Sequence, residues 1–410
     1  MSQINAKTFA DALTLVSGAV SRKSTIPILG NVRIDGDWRR GTLRLEGTDL
    51  ETALSVTLPA QVVSEIHLTV PARELLAFVK TIDKGETVSL RSIASALRVF
   101  VAGGISAEFA SMSVENFPEP PAAPAPSAMI PGAVLADALR KTTFSVANDE
   151  SRYTLIGSLF EIKGETLTVV STDGHRLSHY KAEDGAVAST EDFRGLIPKR
   201  ALLLAEKMIK RAKGKAEAQV SALTIDTPEY AGNNREPRRL AFVRIGDALL
   251  TVQLLSGQFP DYERVIPSRN LGENTATVDR KQFTAALKQV GRFADERSHA
   301  VRFAVNGSFE IAASGSDAGS GKVSIPVDHV GLDVDGVGFN HRYLLDVLAA
   351  IESERVTLDF GKPQTTESVL VNKGDGVGYA DESLDAPIWH WSALLVAADS
   401  AKFVVMPMRV

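Results

Sequence analysis

Apolar residues recur at helical spacing in three separated stretches of the chain. In INAKTFADALTLVSGAV (4–20), IPGAVLADALRKTTFSV (130–146) and VDRKQFTAALKQVGRFA (278–294), a large apolar residue (Phe9, Leu135, Phe283) precedes an Ala-Leu pair three and four places on. A further residue, Val16, Thr142 or Val290, follows three places later. Spacing of i, i+3, i+4, i+7 lays one stripe along an α-helix, so each stretch is expected to pack one face on a core. A second triplet is VPARELLAFVKTI (70–82), IPKRALLLAEKMI (197–209) and FNHRYLLDVLAAI (339–351). Each opens on an apolar residue with Pro or Asn, passes a basic residue and runs into leucines. Pro71 and Pro198 suit the first turn of a helix, where no amide partner is lost. Both series repeat at similar offsets, so a whole unit repeats rather than one helix.

Between the helices the pattern changes to alternation. GTLRLEGTDLETALSVTLP, SLFEIKGETLTVVSTDG and ALRVFVAGGISAEFASM alternate apolar and polar positions and are punctuated by Gly, Asp and Asn, which predicts strands and turns. Phe117-Pro118 leads into the Pro/Ala stretch EPPAAPAPSAMIPG, too proline-rich for helix or central strand, and Phe259-Pro260 leads into the irregular DYERVIPSRNLGENT. These connections divide the chain into three similar α+β domains, 1–125, 126–268 and 269–410, each with two helices packed on antiparallel sheet. The Gly/Ser tract SGSDAGSG (314–321) predicts a flexible hairpin loop.

Composition narrows the class. The chain has 410 residues, 44% of them hydrophobic and 23% charged, as in soluble globular proteins, and too many residues for one core. It has no cysteine, which excludes disulfides and thiolate metal sites and fits a reducing compartment. The start carries no basic region followed by an unbroken apolar run, and no stretch approaches the roughly 18 apolar residues of a membrane span. The expected location is the cytoplasm, with no membrane partner.

The net charge of −5 argues against nucleic acid only on average, because partners feel the local distribution. Basic residues gather on or beside the repeated helices: Arg22-Lys23, Arg140-Lys141 and Arg280-Lys281 near the first set, Arg73, Lys199-Arg200 and Arg342 in the second. The stretch 199–215 alone holds seven Lys or Arg against one Glu. A single such lysine is an ordinary solvated face, but cationic helices in three copies point to one shared anionic partner. There is no zinc-finger spacing, aromatic-rich RNA-binding strand or helix-turn-helix, so recognition would run through phosphates, without base readout.

The stretch STDGHRLSHY (171–180) holds the densest polar chemistry. Ser171, Asp173 and His175 alternate along one local segment and no G-x-S-x-G accompanies them, so a catalytic triad is not expected. The other histidines are scattered, so no metal site and no cofactor are expected either. Asp173-Gly174 reads as a turn.

The chain resembles the bacterial replication sliding clamps, the beta subunit of DNA polymerase III. The resemblance rests on TIPILGN (25–31), GTDLE (47–51), VPAREL (70–75), SRY (151–153), TDGHRL (172–177), FPDYERVIP (259–267), FNHRYLLDVL (339–348) and VVMPMRV (404–410), in family order along essentially the whole chain. It implies a non-enzymatic ring of two head-to-tail copies around double-stranded DNA, serving DNA polymerase III, other polymerases and the clamp loader. DNA-facing residues carried over by position are Arg22, Lys23, Arg73, Tyr153, Lys199 and Arg200. The resemblance also implies a cleft for short partner peptides. Its residues would be Arg152, Leu155, Thr172, Gly174, His175, Arg176 and Leu177, then Pro260, Arg264 and Val265 from the second connection. Tyr343, Ser368, Val404, Met406, Pro407, Met408 and Arg409 complete it from the third domain. Here Leu and Met would wall the cleft, while Arg176 and Arg409 would meet carbonyls or acidic side chains. Ring closure would set an edge strand near Ala107–Ser111, carrying Phe109, against the first helix of domain three around Arg292–Arg297, carrying Phe293. The segments 210–240 and 314–321 are longer than the family pattern, which fits either the main replicative clamp or a divergent second copy. A sequence-specific DNA-binding regulator would need a recognition helix rich in Asn, Gln and Arg, and a hydrolase would need a working 171–179 cluster.

Overall fold

The structure is a computed structural model of the chain. It describes residues 2–21, 24–93, 95–213, 216–225, 238–266, 273–315, 318–331, 333–361, 394–398 and 400–408.

Six helices form where the two triplets place them: α1 (Ala6–Val16), α2 (Ala72–Val79), α3 (Gly132–Thr142), α4 (Lys199–Arg211), α5 (Arg280–Val290) and α6 (His341–Ala350). The repeated stripe is the buried face: Phe9, Ala12, Leu13 and Val16 in α1 and Phe283, Ala286, Leu287 and Val290 in α5 are all in the core. Side chains of Asn5, Asp279 and Asn340 accept amide bonds from the first turns of α1, α5 and α6, satisfying donors that a helix leaves open. Pro71 and Pro198 stand one place earlier than expected, as the caps themselves, because each also ends the preceding strand.

The chain packs as two compact units, one of Met1–Leu139, Leu159–Leu167 and Glu183–Gly257, the other of Arg140–Ser158, Thr168–Ala182 and Gln258–Val410. In the first unit a four-stranded sheet runs Ser2–Asn5, Thr87–Ile93, Ala96–Val101, Ser106–Ala110, with the last strand at its edge. A nine-stranded sheet in the same unit has the consecutive run Arg238–Ile245, Ala248–Gln253, Thr52–Pro59, Thr42–Thr48. Its central pair is antiparallel with Ala53 opposite Thr251.

The second unit repeats this plan. Its four-stranded sheet is ordered Gly319–Ile325, Ser308–Gly315, Ala300–Asn306, Val334–Asn340. In its other sheet, residues 168–172 pair with Arg176–Lys181, which pairs with Ala401–Val405, which pairs with Leu394–Ala398. Leu177 lies opposite Val404, both buried.

One expectation about a loop changes. SGSDAGSG is mostly strand: pairing continues through Ser314↔Ser320 to Gly315↔Gly319, because the backbone ladder tolerates glycine and Gly321 lies against the Phe293 ring, where a Cβ has no room. The long 210–240 segment is a hairpin of Ala218–Ile225 and Arg238–Ile245, flush to Ile225↔Arg238, and its tip lies outside the described residues. Among the described residues no helix is long and apolar enough to cross a membrane.

Candidate functional site

The turn after residues 168–172 is fixed by its own side chains. Asp173 Oδ1 accepts the amides of His175 and Arg176, each at 3.0 Å. Thr172 Oγ1 accepts the Gly174 amide at 3.1 Å and donates to the Arg176 carbonyl at 2.6 Å. Gly174 sits at φ 87°, a left-handed conformation that costs a side-chain-bearing residue more. The Arg152 guanidinium donates to the Asp173 carbonyl and lies over Gly174, where a Cβ would meet it at 2.8 Å.

Arg176 is the hub of the site. Its Nε donates to Asp173 at 3.0 Å, Nη1 to Asp346 at 2.6 Å and Nη2 to the Phe144 carbonyl at 2.7 Å. The guanidinium also lies 4.5 Å from the Tyr343 ring centre and 5.4 Å from that of Phe144. Each guanidinium nitrogen therefore has an internal partner, and Arg176 braces the site. The Tyr343 ring lies nearly parallel to that of His175, 18° between planes and 6.4 Å between centres. Burial, with the nearby Asp173 carboxylate, pushes the Tyr343 phenol above its ordinary value.

The C-terminal strand supplies the other wall. The Met406 amide donates to the His175 carbonyl at 2.9 Å and the Met408 amide to Gly338 at 2.8 Å. Both methionines are thus held by the main chain, and Met406 remains 43% exposed. Pro407 and Met408 are half-buried and Leu155 is half-buried on the turn it forms with Arg152. On the second connection Pro260, Arg264 and Val265 are exposed, Arg264 pairs with Asp261 at 2.8 Å, and Tyr262 packs its ring against His179. The unit thus gathers Arg152, Thr172–Leu177, Tyr343, Val404 and Met406–Met408 by direct contact or strand pairing. Ser368 and Arg409 lie outside the described residues. Phe144 and Asp346 were missed from the sequence. The signal for Asp346 is a carboxylate breaking the leucine run of α6 where α4 has Leu204.

The same geometry disposes of a triad. Ser171 is fully buried and bonds Ser158 at 2.6 Å, Asp173 is committed to the turn, and His175 stacks on Tyr343. Among the described residues no group of His, Cys, Asp or Glu could hold a metal ion.

The helix cations divide into two kinds. Arg73, near the start of α2, and Tyr153 are exposed, and Lys199 is half-buried at the start of α4. Arg200 is exposed as well, yet its guanidinium donates to the carbonyls of Gly18 at 2.9 Å and Val20 at 2.9 Å, and to Asp49. Arg140 and Arg280 likewise bond carbonyls at the end of α6, Ala350 for the first and Leu348 for the second. Lys141 is buried and donates to Ser400 at 3.1 Å. Arg140, Arg200 and Arg280 thus satisfy carbonyls at or just past helix ends, a role that complements the helix dipole and that spacing alone does not distinguish from phosphate binding. Arg22 and Lys23 lie outside the described residues.

Phe109 is half-exposed on the edge strand Ser106–Ala110, 5.7 Å edge-on from Phe78. Phe293 is half-buried in the single 3-10 turn Gly291–Phe293 that follows α5, beyond the helix where it was expected.

Three domain families match in order: the DNA polymerase III beta subunit N-terminal domain over residues 2–121, its central domain over 129–261 and its C-terminal domain over 263–379. The chain is 30% identical over 351 residues to the beta sliding clamp of Synechococcus elongatus, covering 85% of this chain and 89% of that one. It is 28% identical over 400 residues to the beta sliding clamp of Pseudomonas aeruginosa, covering 97% and 96%. Among solved structures it is similar to a P. aeruginosa sliding clamp bound to griselimycin, with TM-score 0.81, 26% identity and full coverage of both chains. It is also similar to the C. crescentus beta sliding clamp, with TM-score 0.78, 25% identity and coverage of 100% and 98%.

Proposed function

Because the chain belongs to the DNA polymerase III beta-subunit family of sliding clamps, we propose that it is a processivity clamp, encircling duplex DNA as a ring of two copies. The observation that carries this reading is the threefold helix repeat, matched in order by the three domains of one family. The domains divide at 125 and 268. The repeated helices line the hole, and the chain holds DNA by encirclement and phosphate contact, without base recognition and without turnover of a substrate. It works in the cytoplasm with polymerase III, other polymerases and the clamp loader, which dock peptides in the cleft between the 172–177 turn and residues 404–408. A head-to-tail contact stays finite because the ring closes after two copies.

Ring topology is tested directly: the loaded protein is expected to stay on circular DNA and to run off linear DNA. Equal release from both would overturn encirclement. A second experiment separates the two kinds of cation. Arg73→Glu with Lys199→Glu is expected to reduce retention on unrelated DNA sequences equally, with the deficit shrinking as salt rises, because phosphate contacts release counterions. Arg200→Glu is expected instead to lower thermal stability, since it leaves the Gly18 and Val20 carbonyls without their donor and sets a second carboxylate beside Asp49. Loss of affinity for one DNA sequence alone would favour a sequence-specific regulator.

A further inference from the structure

Helix α6 grips the Arg176 guanidinium with two side chains. The Tyr343 ring centre lies 4.5 Å from it, and Asp346 Oδ2 accepts from Nη1 at 2.6 Å. Phe144 makes the same grip from another segment, with its ring centre 5.4 Å away and its carbonyl 2.7 Å from Nη2. Positions i and i+3 share a helix face, so α6 carries its ring and its carboxylate as one unit. The fold itself does not demand that carboxylate. Counted from the residue before each second helix (Pro71, Pro198, Asn340), the same place holds Ala77 in α2 and Leu204 in α4. Among the three copies, only the one that borders the cleft has an acid there.

Exposure shows what this acid does. The Arg176 side chain is 11% exposed and that of Asp173 is 16% exposed, but Asp346 is 48% exposed. Of the two carboxylates that hold Arg176, Asp346 is thus the one a partner meets. The other cations assigned to the cleft are countered as well. Arg152 donates to the Asp173 carbonyl and lies 4.0 Å from Asp149, and Arg264 pairs with Asp261 at 2.8 Å. Asp346 commits Oδ2 to Arg176, while Oδ1 makes no bond among the described residues. The charge this wall offers is therefore negative. A carboxylate beside the apolar anchors of a bound peptide would face Oδ1 and find the Arg176 edge already taken. Like charges brought together at an interface cost affinity, and specificity is often built from such repulsion.

We infer that Asp346 is a specificity-determining residue of the cleft: it closes the exposed edge of Arg176 and rejects peptides with an acidic side chain next to their Leu/Phe anchors. This inference rests on the cleft reading given above. The test uses the full chain, fluorescence anisotropy and three labelled peptides that share Leu/Phe anchors and differ only in a flanking Gln, Glu or Lys. The wild type is expected to bind the Glu peptide about fivefold more weakly than the Gln peptide, and the Lys peptide at least as tightly as the Gln peptide. Asp346→Asn keeps an oxygen for Nη1 and removes the charge, so the Glu penalty should vanish with little change for Gln. Asp346→Ala also frees the Arg176 edge, so the Glu peptide should become the tighter of the two. A purely structural role would weaken all three peptides by one factor and keep their order. Binding that depends on Met406 and Met408, with one Glu-to-Gln ratio in the wild type and both variants, would overturn the inference and leave the cleft standing. Binding of none of the peptides, or binding untouched by Met406→Ala with Met408→Ala, would overturn the cleft and this inference with it. Should the alanine variant melt early, Asp346→Asn alone decides, and an unchanged ratio there overturns the inference equally.

Discussion

Replacing Met406 and Met408 together with alanine is expected to weaken binding of a Leu/Phe-containing polymerase peptide by roughly thirtyfold or more, with ring and fold intact. Truncating one anchor of an interface commonly costs about 2 kcal/mol, and this change removes two. The substitution is clean because both residues are held through backbone amides, to His175 and Gly338, which alanine keeps. Deleting 404–410 would be a poor substitute. It removes Val404 and Val405, which are buried and paired in the sheet, and would damage the second unit itself. Arg176→Ala should lower affinity and stability together, by about 2 kcal/mol in stability, since Asp346 and the Phe144 carbonyl lose their donor. Fluorescence anisotropy beside thermal melts separates the two behaviours. Unchanged peptide binding in the methionine double mutant would return both residues to ordinary packing.

Phe293→Asp is expected to convert the dimer to monomer at micromolar concentration in sedimentation. Removing a buried aromatic costs about 3–5 kcal/mol, and a closed two-copy ring loses that contact at both of its joints. The ring of Phe293 is only half-buried within the chain, against Gly321 of the edge strand Gly319–Ile325, so most of the loss should fall on association. A buried carboxylate at such a joint would add its own desolvation cost. Phe109→Asp should act in the same direction from the opposite partner. A dimer that survives Phe293→Asp would place the joint elsewhere.

The helices were legible because a stripe such as Phe9, Ala12, Leu13, Val16 has one physical meaning, and its threefold recurrence gave the domain plan as well. The turn at Asp173-Gly174 was equally plain. What the sequence concealed is the direction in which a long cation points. Arg200 and Arg73 occupy comparable, exposed places at the starts of α4 and α2, yet Arg200 is bound to the Gly18 and Val20 carbonyls. That difference depends on which carbonyls lie within reach, a tertiary fact with no local signature. Arg176 held a second role for the same reason: its partners Phe144 and Asp346 are distant in sequence, so its bracing bonds had no local signature. SGSDAGSG misled in the other direction, since glycine marks loops on average but also fits a strand lying under an aromatic ring.

The pairing of Arg176–Lys181 with Ala401–Val405 joins segments more than two hundred residues apart. Local hairpins can form as soon as their two strands exist, but this closure must wait for distant chain and overcome the entropy of the intervening loop. The walls on which Met406 and Leu177 sit therefore belong to no fragment that lacks either segment. On the proposed reading, docking at this site therefore reports that the second unit has closed.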